Sequence, residues 1–399
     1  MRLPLMAATA CPLAFALAGC ATPAPGGKVD VEAVHRDLLV LDTHLDTPVY
    51  FGRAGWDFSE AHTLENDIAQ VDLGRMKQGA LDGGFFVVYT AQGPLTAEGY
   101  RAALAHARQR SDVIDTELAK FPELIRLATS AGQVEAFDAR GVLVGLKAIE
   151  NSYPLGEDLS LLEEFYDRGV RMAGPVHSGT NQFADSATDE AKWGGLSPLG
   201  RQWVGEMNRL GMVIDGSHSS DGALDDILEL SAAPIILSHS SPKWANDHPR
   251  NLDDARIRKV AARGGAMCMS TIFMSEMNMT EERARLFDEY ERIAGMSEEE
   301  QARLVREWRA LDASEPLWAT TFDEYMAALL HLIEVAGVDH VCFGADWDGG
   351  GGIEGLMEIS SLPVVTGRLL DAGYSVADIE KMTSGNVLRI MRAAQAAAE

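Results

Sequence analysis

The sequence predicts an α/β protein built as a single (β/α)8 TIM barrel, and three features of the chain support this prediction. Near-continuous apolar runs, typical of strands buried on both faces, alternate along the chain with segments of helical periodicity. Most of these runs end in a histidine or a carboxylate, and a parallel barrel gathers the carboxyl ends of its strands at one face. The chain has 399 residues, of which 46% are hydrophobic, so one barrel with insertions accounts for its length and core.

Eight apolar runs are expected to form the barrel strands. In chain order they cover residues 39–46, 83–90, 142–150, 170–177, 212–218, 234–239, 265–270 and 340–346. The clearest helical segments between them cover residues 100–120, 161–168, 199–210, 224–230 and 257–263. Alternation of strands with helices favours parallel strand pairing, because each helix returns the chain to the starting edge of the sheet.

A helical insertion is expected between the seventh and eighth strands, over residues 276–316. This segment is dense in Glu and Arg, and its apolar residues recur at helical spacing, which predicts two helices in a hairpin. These apolar residues are Leu286, Tyr290, Ile293, Leu304, Trp308 and Leu311. Because the insertion leaves from the end of the barrel that bears the ligands, we expect a lid over the site. The alternative is a solvated decoration.

The N-terminal residues are expected to direct export and anchoring. Residues 1–19 form a short positively charged start and an apolar stretch too short for an ordinary membrane span. Leu17-Ala18-Gly19-Cys20 resembles a bacterial lipobox, so Cys20 would be the lipid-modified first residue of the mature chain. Residues 20–28 would then be a tether, followed by the catalytic domain over 29–399. We therefore expect a lipoprotein of the bacterial cell envelope on the periplasmic side. A plain secretory signal is the alternative.

Charge and cysteine content restrict the partners and the redox chemistry. The net charge of -26 and pI near 4.7 argue against nucleic acid, whose phosphates need a basic surface. Cys11 would be removed with the signal peptide. Cys268 and Cys342 lie in apolar runs, so we expect buried thiols rather than a disulfide, although an export compartment permits one.

Seven residues at the ends of the apolar runs are candidates for a metal-dependent site. His44 and Asp46 are two apart in a strand and so project from the same face. The full candidate set is His44, Asp46, Glu150, His177, His218, His239 and Asp346. Nitrogen and oxygen ligands without thiolate suit Zn²⁺, with Mn²⁺ and Fe²⁺ as alternatives.

The candidate roles follow from the chemistry of a two-metal site, in which a carboxylate bridges two cations that activate water and polarise a carbonyl. His44 and Asp46 would hold one metal and His218 and His239 the other, with Glu150 touching both. The nucleophile would be a bridging hydroxide. Asp346 would relay its proton to the leaving amine, and His177 would donate to the oxyanion.

Several other polar residues are expected to be structural. Lys147 suggests a carboxylated lysine bridge, but Glu150 ends the same strand, so we interpret Lys147 as structural. Asp215 and Asp348 are expected to be hydrogen-bonding groups at strand ends or in loops. The histidines expected to lie outside the site are His35, His62, His106, His248, His331 and His340. Taken singly, His218 and His239 would be better explained as core histidines with satisfied hydrogen bonds.

Together these motifs resemble the renal, or membrane, dipeptidase family of zinc peptidases, within the amidohydrolase-like barrels. The similarity covers about residues 34–393. It rests on segments that include Asp42-Thr43-His44-Leu45-Asp46, Ala148-Ile149-Glu150, Asp215-Gly216-Ser217-His218, Ser238-His239-Ser240-Ser241, His248-Pro249-Arg250-Asn251 and Gly344-Ala345-Asp346-Trp347-Asp348-Gly349. The resemblance implies a binuclear zinc site with these ligands, Asp346 as proton shuttle, His177 on the oxyanion, and Arg250 on the C-terminal carboxylate of the substrate.

The chain also departs from the family pattern. Family members often have, after the seventh strand, a Tyr that assists the arginine at the carboxylate, whereas here the stretch is Ser270-Thr271-Ile272-Phe273. Asn151 replaces the usual Gly after the bridging glutamate, and the insertion is longer than in mammalian members. These departures affect side-chain preference more than the reaction.

The expected function is therefore hydrolysis of free dipeptides by a lipid-anchored enzyme with two Zn²⁺ per chain, including L-Xaa-D-Xaa as well as L-Xaa-L-Xaa substrates. One alternative is another amidohydrolase of the same barrel, acting on N-acyl amino acids, cyclic amides or lactones. A second is a metal- or peptide-binding envelope lipoprotein without activity. The oligomeric state is left open, with a homodimer as one alternative.

Overall fold

The computed structural model describes residues 29–398 and contains, in that range, nine strands arranged in two parallel sheets. The strands are β1 (Leu41–Leu45), β2 (Gly83–Val88), β3 (Ile125–Leu127), β4 (Leu143–Ile149), β5 (Val170–Ala173), β6 (Val213–Ile214), β7 (Ile236–Ser240), β8 (Ala266–Met269) and β9 (Val341–Phe343). One sheet has the order β1-β2-β4-β5-β6, with β3 also paired to β4, and the other has the order β7-β8-β9.

Isolated parallel bridges join the two sheets at both edges. Asp215 pairs with Ile236 between β6 and β7, where the Gly216 N–H donates to the Ile236 carbonyl at 2.8 Å. Leu45 pairs with Trp347 between β1 and the segment after β9, where the Asp46 N–H donates to the Trp347 carbonyl at 2.9 Å. The sheet therefore curls back on itself, as the predicted parallel α/β barrel requires.

Each of the eight predicted runs contains a strand, but most strands end earlier than predicted. The fourth run was expected to reach residue 177 and pairs only over β5, which ends at Ala173; the fifth pairs only over the two residues of β6. After these points the backbone no longer pairs as a strand, and the residues that follow include the site histidines His177 and His218. β3 was not predicted, because its three residues are too few to show a periodic pattern.

Helices pack around the sheet. They are α1 (Val31–Asp37), α2 (Leu73–Arg75), α3 (Ala97–Leu118), α4 (Ala131–Asp138), α5 (Ser160–Asp167), α6 (Pro198–Leu210), α7 (Asp221–Leu230), α8 (Asp254–Ala262), α9 (Glu281–Tyr290), α10 (Glu298–Ser314), α11 (Phe322–Ala336), α12 (Leu362–Asp371), α13 (Val376–Glu380) and α14 (Asn386–Ala397). Of these, α3, α5, α6, α7 and α8 correspond to the five helical segments predicted between the strands. The ends of α6 illustrate the local signals: Ser197 accepts from the Gly200 N–H, Pro198 begins the helix, and Gly211 ends it with φ of 69°.

The insertion forms the expected helical hairpin from α9 and α10. Its buried residues Leu286, Ile293 and Leu304 form one apolar cluster with Tyr50 and Ile68 of the barrel. The segments that enter and leave the insertion, which we call its stems, are paired by an antiparallel bridge between Met277 and Trp318. The hairpin is thus packed against the barrel rather than extended into solvent.

The expectation of free buried thiols at Cys268 and Cys342 is wrong. The two residues are register partners on the neighbouring strands β8 and β9, with Cα atoms 4.0 Å apart, and they form a disulfide. Both are fully buried. Their 74-residue separation hides this pairing in the sequence, since only the strand register places the two side chains next to each other.

The predicted signal peptide, the tether and the lipidation site Cys20 lie outside the described residues. Within the part of the chain that the structure describes, none of the helices combines the length and the apolar character needed to cross a bilayer.

Candidate active site

Glu150 lies at the centre of the cluster that the strand ends form. Its Oε1 atom is 3.1 Å from His218 Nε2, 3.6 Å from both His44 Nε2 and His239 Nε2, and 3.5 Å from His177 Nε2. Glu150 follows β4 directly, whereas the four histidines come from the ends of β1, β5, β6 and β7. The structure therefore brings together residues that are up to 195 positions apart in the chain.

Two further carboxylates approach the cluster beside His44. Asp46 Oδ2 lies 3.3 Å and Asp346 Oδ1 3.7 Å from His44 Nε2. The ligand-type atoms form three overlapping groups, each with all its atoms within 4.8 Å of one another. These groups are His44, His239 and Asp346; Glu150, His218 and His239; and His44, Asp46 and Glu150.

The donor set fits divalent metal ions. His44 Nε2 is buried and has no hydrogen-bond partner among the described residues, and His218 Nε2 lies 2.8 Å from His239 Nε2. Burying several carboxylates and imidazoles together is costly unless cations compensate them. Nitrogen and oxygen atoms that converge in this way, without thiolate, match the ligand preference of zinc and related metals.

Hydrogen bonds from neighbouring strands hold the cluster in place. Asp42 accepts from the backbone N–H groups of His44 at 2.8 Å and Ala345 at 3.0 Å, which ties β1 to the segment after β9. Asp215 accepts from the Ser238 N–H at 2.9 Å, and Ser238 Oγ lies 2.8 Å from His239 Nδ1. As predicted, Asp215 has a structural role, because it orients the segment that bears His239.

Burial shifts the pKa values of the acids and the bases in opposite directions. It raises the pKa of Glu150 well above its ordinary value and that of Asp346 to about 7. It lowers the pKa of His218 and His239, and with the charge of Arg250 it lowers that of His177 to about 3. These imidazoles are therefore neutral, the form in which they bind metals.

His44 behaves differently from the other histidines. Burial tends to lower its pKa, but the negative charges of Glu150 and Asp46 outweigh burial and raise the pKa to about 10. A site that holds a proton on His44 in this way attracts a cation at the same position.

Strained backbone marks the same end of the barrel. His218 and Asp346 have φ values of 65°, and Asp348 has 66°, in the left-handed region that residues with a side chain seldom adopt. Gly349 makes close approach possible, because a Cβ atom there would lie 2.2 Å from Asp46 Oδ2 and 2.6 Å from Asp346 Oδ1. The backbone after β9 therefore passes so close to the carboxylates of Asp46 and Asp346 that only a glycine fits at position 349.

The cluster opens into a cavity of about 340 Å³. Arg250 lines it; this side chain is buried, its Nη2 donates to the His239 carbonyl at 3.3 Å, and its Nε has no partner among the described residues. His177 is the most accessible of the four histidines at 27% exposure, and its ring meets the edge of Tyr89 at 5.1 Å. A small substrate therefore has access to both groups.

The insertion forms one wall of this cavity through residues that include Phe287 and Tyr290. The Tyr290 hydroxyl donates to the Asp348 carbonyl at 2.5 Å, and the Trp318 indole N–H donates to the Gly350 carbonyl at 2.7 Å. Asp348 in turn accepts from the Thr47 hydroxyl at 2.7 Å, so it has the structural role that we expected. The insertion is therefore attached to the loop that follows Asp346.

Two of the three departures from the family pattern make identifiable contacts near the site. Phe273, in the stretch that follows the seventh predicted strand, stacks on His248 at 4.2 Å, and its ring centroid is 5.8 Å from Arg250 Cζ. Asn151 is buried, accepts from the Tyr153 N–H at 3.1 Å and donates to the Thr90 carbonyl at 3.4 Å.

Sequence reasoning missed several residues that line the cavity. Tyr89, Arg110 and Trp318 carried no spacing signal of their own, and the helical spacing of Tyr290 indicated packing within the insertion but not a place in the cavity wall. His106, expected to lie outside the site, also lines the cavity wall. Only the packing of α3 and the insertion over the barrel mouth reveals these residues.

A parallel barrel with a buried histidine and carboxylate cluster at the carboxyl ends of its strands is typical of metal-dependent hydrolases. The sequence model of the membrane dipeptidase family (peptidase family M19) matches residues 29–399. The chain therefore belongs to this family, and it is a metal-dependent dipeptidase. This confirms the predicted family and enzyme class.

Individual relatives agree with this assignment. The dipeptidase aclJ of Aspergillus oryzae is 30% identical over 91% of this chain and 80% of its own length. The crystal structure of the probable dipeptidase PvdM from Pseudomonas aeruginosa matches with a TM-score of 0.78 and 28% identity, covering 92% of this chain and 98% of that one. A Rhodobacter sphaeroides metallopeptidase, crystallised with a phosphinate mimic of L-Ala-D-Ala, shares the fold with a TM-score of 0.69 at 22% identity, over 90% and 99% of the two chains.

Proposed function

We propose that this protein hydrolyses the peptide bond of free dipeptides at a centre that holds two zinc ions. The observation that carries the proposal is the position of Glu150 Oε1, within 3.6 Å of the Nε2 atoms of His44, His218 and His239. A single carboxylate so placed is suited to bridge two cations.

Two of the three groups of neighbouring ligand atoms support a division of the ligands between two ions. His44 and Asp46 would hold one ion, His218 and His239 the other, and Glu150 both. When bound, the ions polarise the scissile carbonyl and lower the pKa of water.

Asp346 is the proton carrier in this proposal. Its carboxylate would accept a proton from the attacking water and return it to the leaving amine. Burial favours the protonated form that this relay passes through, since it raises the pKa of Asp346 to about 7. Its Oδ1 atom lies 3.7 Å from His44 Nε2, beside the carboxylates that surround the reaction centre.

His177 and Arg250 act on the substrate. Neutral His177 keeps one ring N–H, which donates to the oxyanion that develops on the scissile carbonyl. Arg250 stays cationic, since burial lowers its pKa only to about 10, and its guanidinium binds the C-terminal carboxylate of the dipeptide. Substrates include dipeptides with a D-residue at the C-terminal position.

Localisation belongs to the same proposal. Cys20 is lipid-modified and anchors the enzyme at the periplasmic side of the cell envelope. The buried disulfide between Cys268 and Cys342 supports export, because disulfides persist in oxidising compartments. Growth with radiolabelled palmitate tests the anchor: the wild type is labelled and Cys20→Ala is not. Size-exclusion chromatography with light scattering distinguishes a monomer from a homodimer.

Metal analysis combined with a dipeptide library tests the activity. We expect about two zinc ions per chain and cleavage of dipeptides, with both stereochemistries covered at each position. Purified, zinc-loaded protein that cleaves N-acyl amino acids, cyclic amides or lactones but no dipeptide would favour another amidohydrolase activity. Metal or peptide binding without turnover would favour a binding lipoprotein.

A further inference from the structure

Arg110 is a second arginine on the wall of the active-site cavity. It lies on α3, its Nη1 donates to the Pro48 carbonyl, and it lines the cavity beside Asp46, Pro48 and Val49. Among the described residues, no carboxylate oxygen lies within salt-bridge distance of Arg110 or of Arg250. The cavity therefore has two guanidinium groups without a carboxylate partner of their own.

The two arginines face different sides of the metal-ligand cluster. The charge of Arg250 acts on Glu150, Asp346 and the histidines His177, His218 and His239. Arg110 donates to the carbonyl of Pro48, two residues after Asp46, and burial lowers its pKa against the negative charges of Asp46 and Glu291. Arg110 thus lies on the β1 side of the cluster and Arg250 on the side of His177 and His239.

If the proposed function holds, the positions of Arg110 and Arg250 on different sides of the cluster orient a bound dipeptide. With the C-terminal carboxylate on Arg250 and the scissile carbonyl over Glu150, the N-terminal residue extends toward the side of Asp46 and Arg110. We propose that Arg110 selects dipeptides whose N-terminal residue has a carboxylate side chain, Asp or Glu. A guanidinium binds a carboxylate through parallel N–H groups, an interaction that a neutral amide replaces poorly.

Glu291 modulates this preference. It is an exposed residue at the end of α9, lines the same cavity, and its negative charge acts on Arg110 without forming an ion pair. An acidic substrate side chain that approaches Arg110 therefore meets repulsion from Glu291. Removing the charge of Glu291 should strengthen the selection of acidic residues.

The test compares kcat/KM for Glu-Ala and Gln-Ala, which differ in charge and hardly in size, on zinc-loaded wild type and variants. We expect wild type to favour Glu-Ala by about tenfold, the effect of one hydrogen-bonded charge pair. Arg110→Met should abolish this ratio, and Glu291→Gln should raise it. Arg108→Met is the matched control, since Arg108 lies on the same helix but pairs with Glu164 away from the cavity.

The inference is overturned if the ratio of kcat/KM for Glu-Ala over Gln-Ala is the same in wild type and Arg110→Met. It is also overturned if wild type favours Gln-Ala. Thermal unfolding shows whether Arg110→Met folds. If it does not, the Glu291→Gln variant provides the test: a ratio of kcat/KM for Glu-Ala over Gln-Ala that is unchanged or lower than in wild type counts against Arg110. If Gln-Ala and Ala-Ala are cleaved but Glu-Ala is not favoured, the proposed function stands and only the inference fails. If wild type cleaves none of the three, both fail.

Discussion

Single residues in this site act through neighbours that the chain brings from distant strands. Glu150 is close to four imidazole nitrogens only because β4 ends at the same face as β1, β5, β6 and β7. The strained φ angles of His218 and Asp346 occur at the same face. Strain at such positions persists where the surrounding structure fixes it, which is typical of functional sites.

Asp346→Asn should separate metal binding from proton transfer. The amide keeps the size of the side chain but cannot accept the proton, so we expect both zinc ions to be retained while kcat falls by about 10²- to 10⁴-fold. Metal analysis and steady-state kinetics on the same preparation check this. Turnover within threefold of wild type would remove Asp346 from the proposed role.

Gly349→Ala should weaken metal binding although it replaces none of the proposed metal ligands. The new methyl group would lie 2.2 Å from Asp46 Oδ2, so the carboxylate must move, and we expect zinc affinity to fall by roughly 10- to 100-fold. Competition with a chelator measures the affinity. Gly205→Ala is the control: a methyl group added there, inside α6, would meet nothing within 4 Å beyond the backbone of its own helix, so zinc affinity should not change. Wild-type affinity in Gly349→Ala would contradict the prediction.

At the scale of elements, the insertion and the barrel mouth are connected by hydrogen bonds rather than by apolar contact alone. Tyr290 and Trp318 each donate to a carbonyl of the loop after Asp346, at 2.5 and 2.7 Å. The insertion also completes the cavity wall. These contacts favour the lid that we expected over a solvated decoration.

Removal of the hairpin tests the lid. Because Met277 and Trp318 are already bridged, residues 280–315 can be replaced by a short Gly-Ser linker. We expect kcat/KM to fall by roughly 10- to 100-fold and dipeptide selectivity to weaken, since an open site positions substrate poorly. Tyr290→Phe, which keeps the hairpin and loses one hydrogen bond, should show a smaller fall. Unchanged turnover and selectivity in the deletion variant would refute the lid.

The β8–β9 disulfide should be found in the exported protein and should stabilise it. Peptide mapping without reductant should yield one cross-linked peptide that contains Cys268 and Cys342. The double variant Cys268→Ala/Cys342→Ala should lose about 2–5 kcal/mol of unfolding free energy in urea titrations. Recovery of both cysteines as alkylated thiols from the exported protein would contradict the pairing.

At the scale of the whole molecule, stability should depend on buried acids whose pKa values are raised. Burial raises the pKa of Asp82 to about 7 from an ordinary value of 3.8, although the Val40 N–H, which donates to its carboxylate at 2.8 Å, opposes the shift. The folded protein therefore keeps a proton on Asp82 at a pH where the unfolded chain has lost it. This contribution to stability is fully present below pH 3.8 and is lost as the pH rises through 7.

The unfolding free energy of Asp82→Asn should therefore increase relative to that of wild type as the pH rises from 4 to 7, because the amide does not titrate. Above the folded-state pKa of about 7, the difference should stay constant. Urea denaturation of both proteins across this range measures the difference. The exposed Asp371→Asn variant is the control and should follow wild type. A constant difference between Asp82→Asn and wild type over this range would contradict the assignment.

The sequence by itself determined the barrel class and the candidate ligands. Apolar runs that end in His44, Glu150, His218 and His239 require strands whose carboxyl ends meet, and the motifs around them identify the family. These features are local, so they can be read from short stretches of chain.

Only the tertiary structure decided which distant residues touch. The register of β8 and β9 joins Cys268 to Cys342, and the packing of α3 and the insertion puts Arg110 and Tyr290 on the cavity wall. Such contacts depend on how whole elements pack against one another. No spacing within a single segment records them, and for that physical reason the sequence left them open.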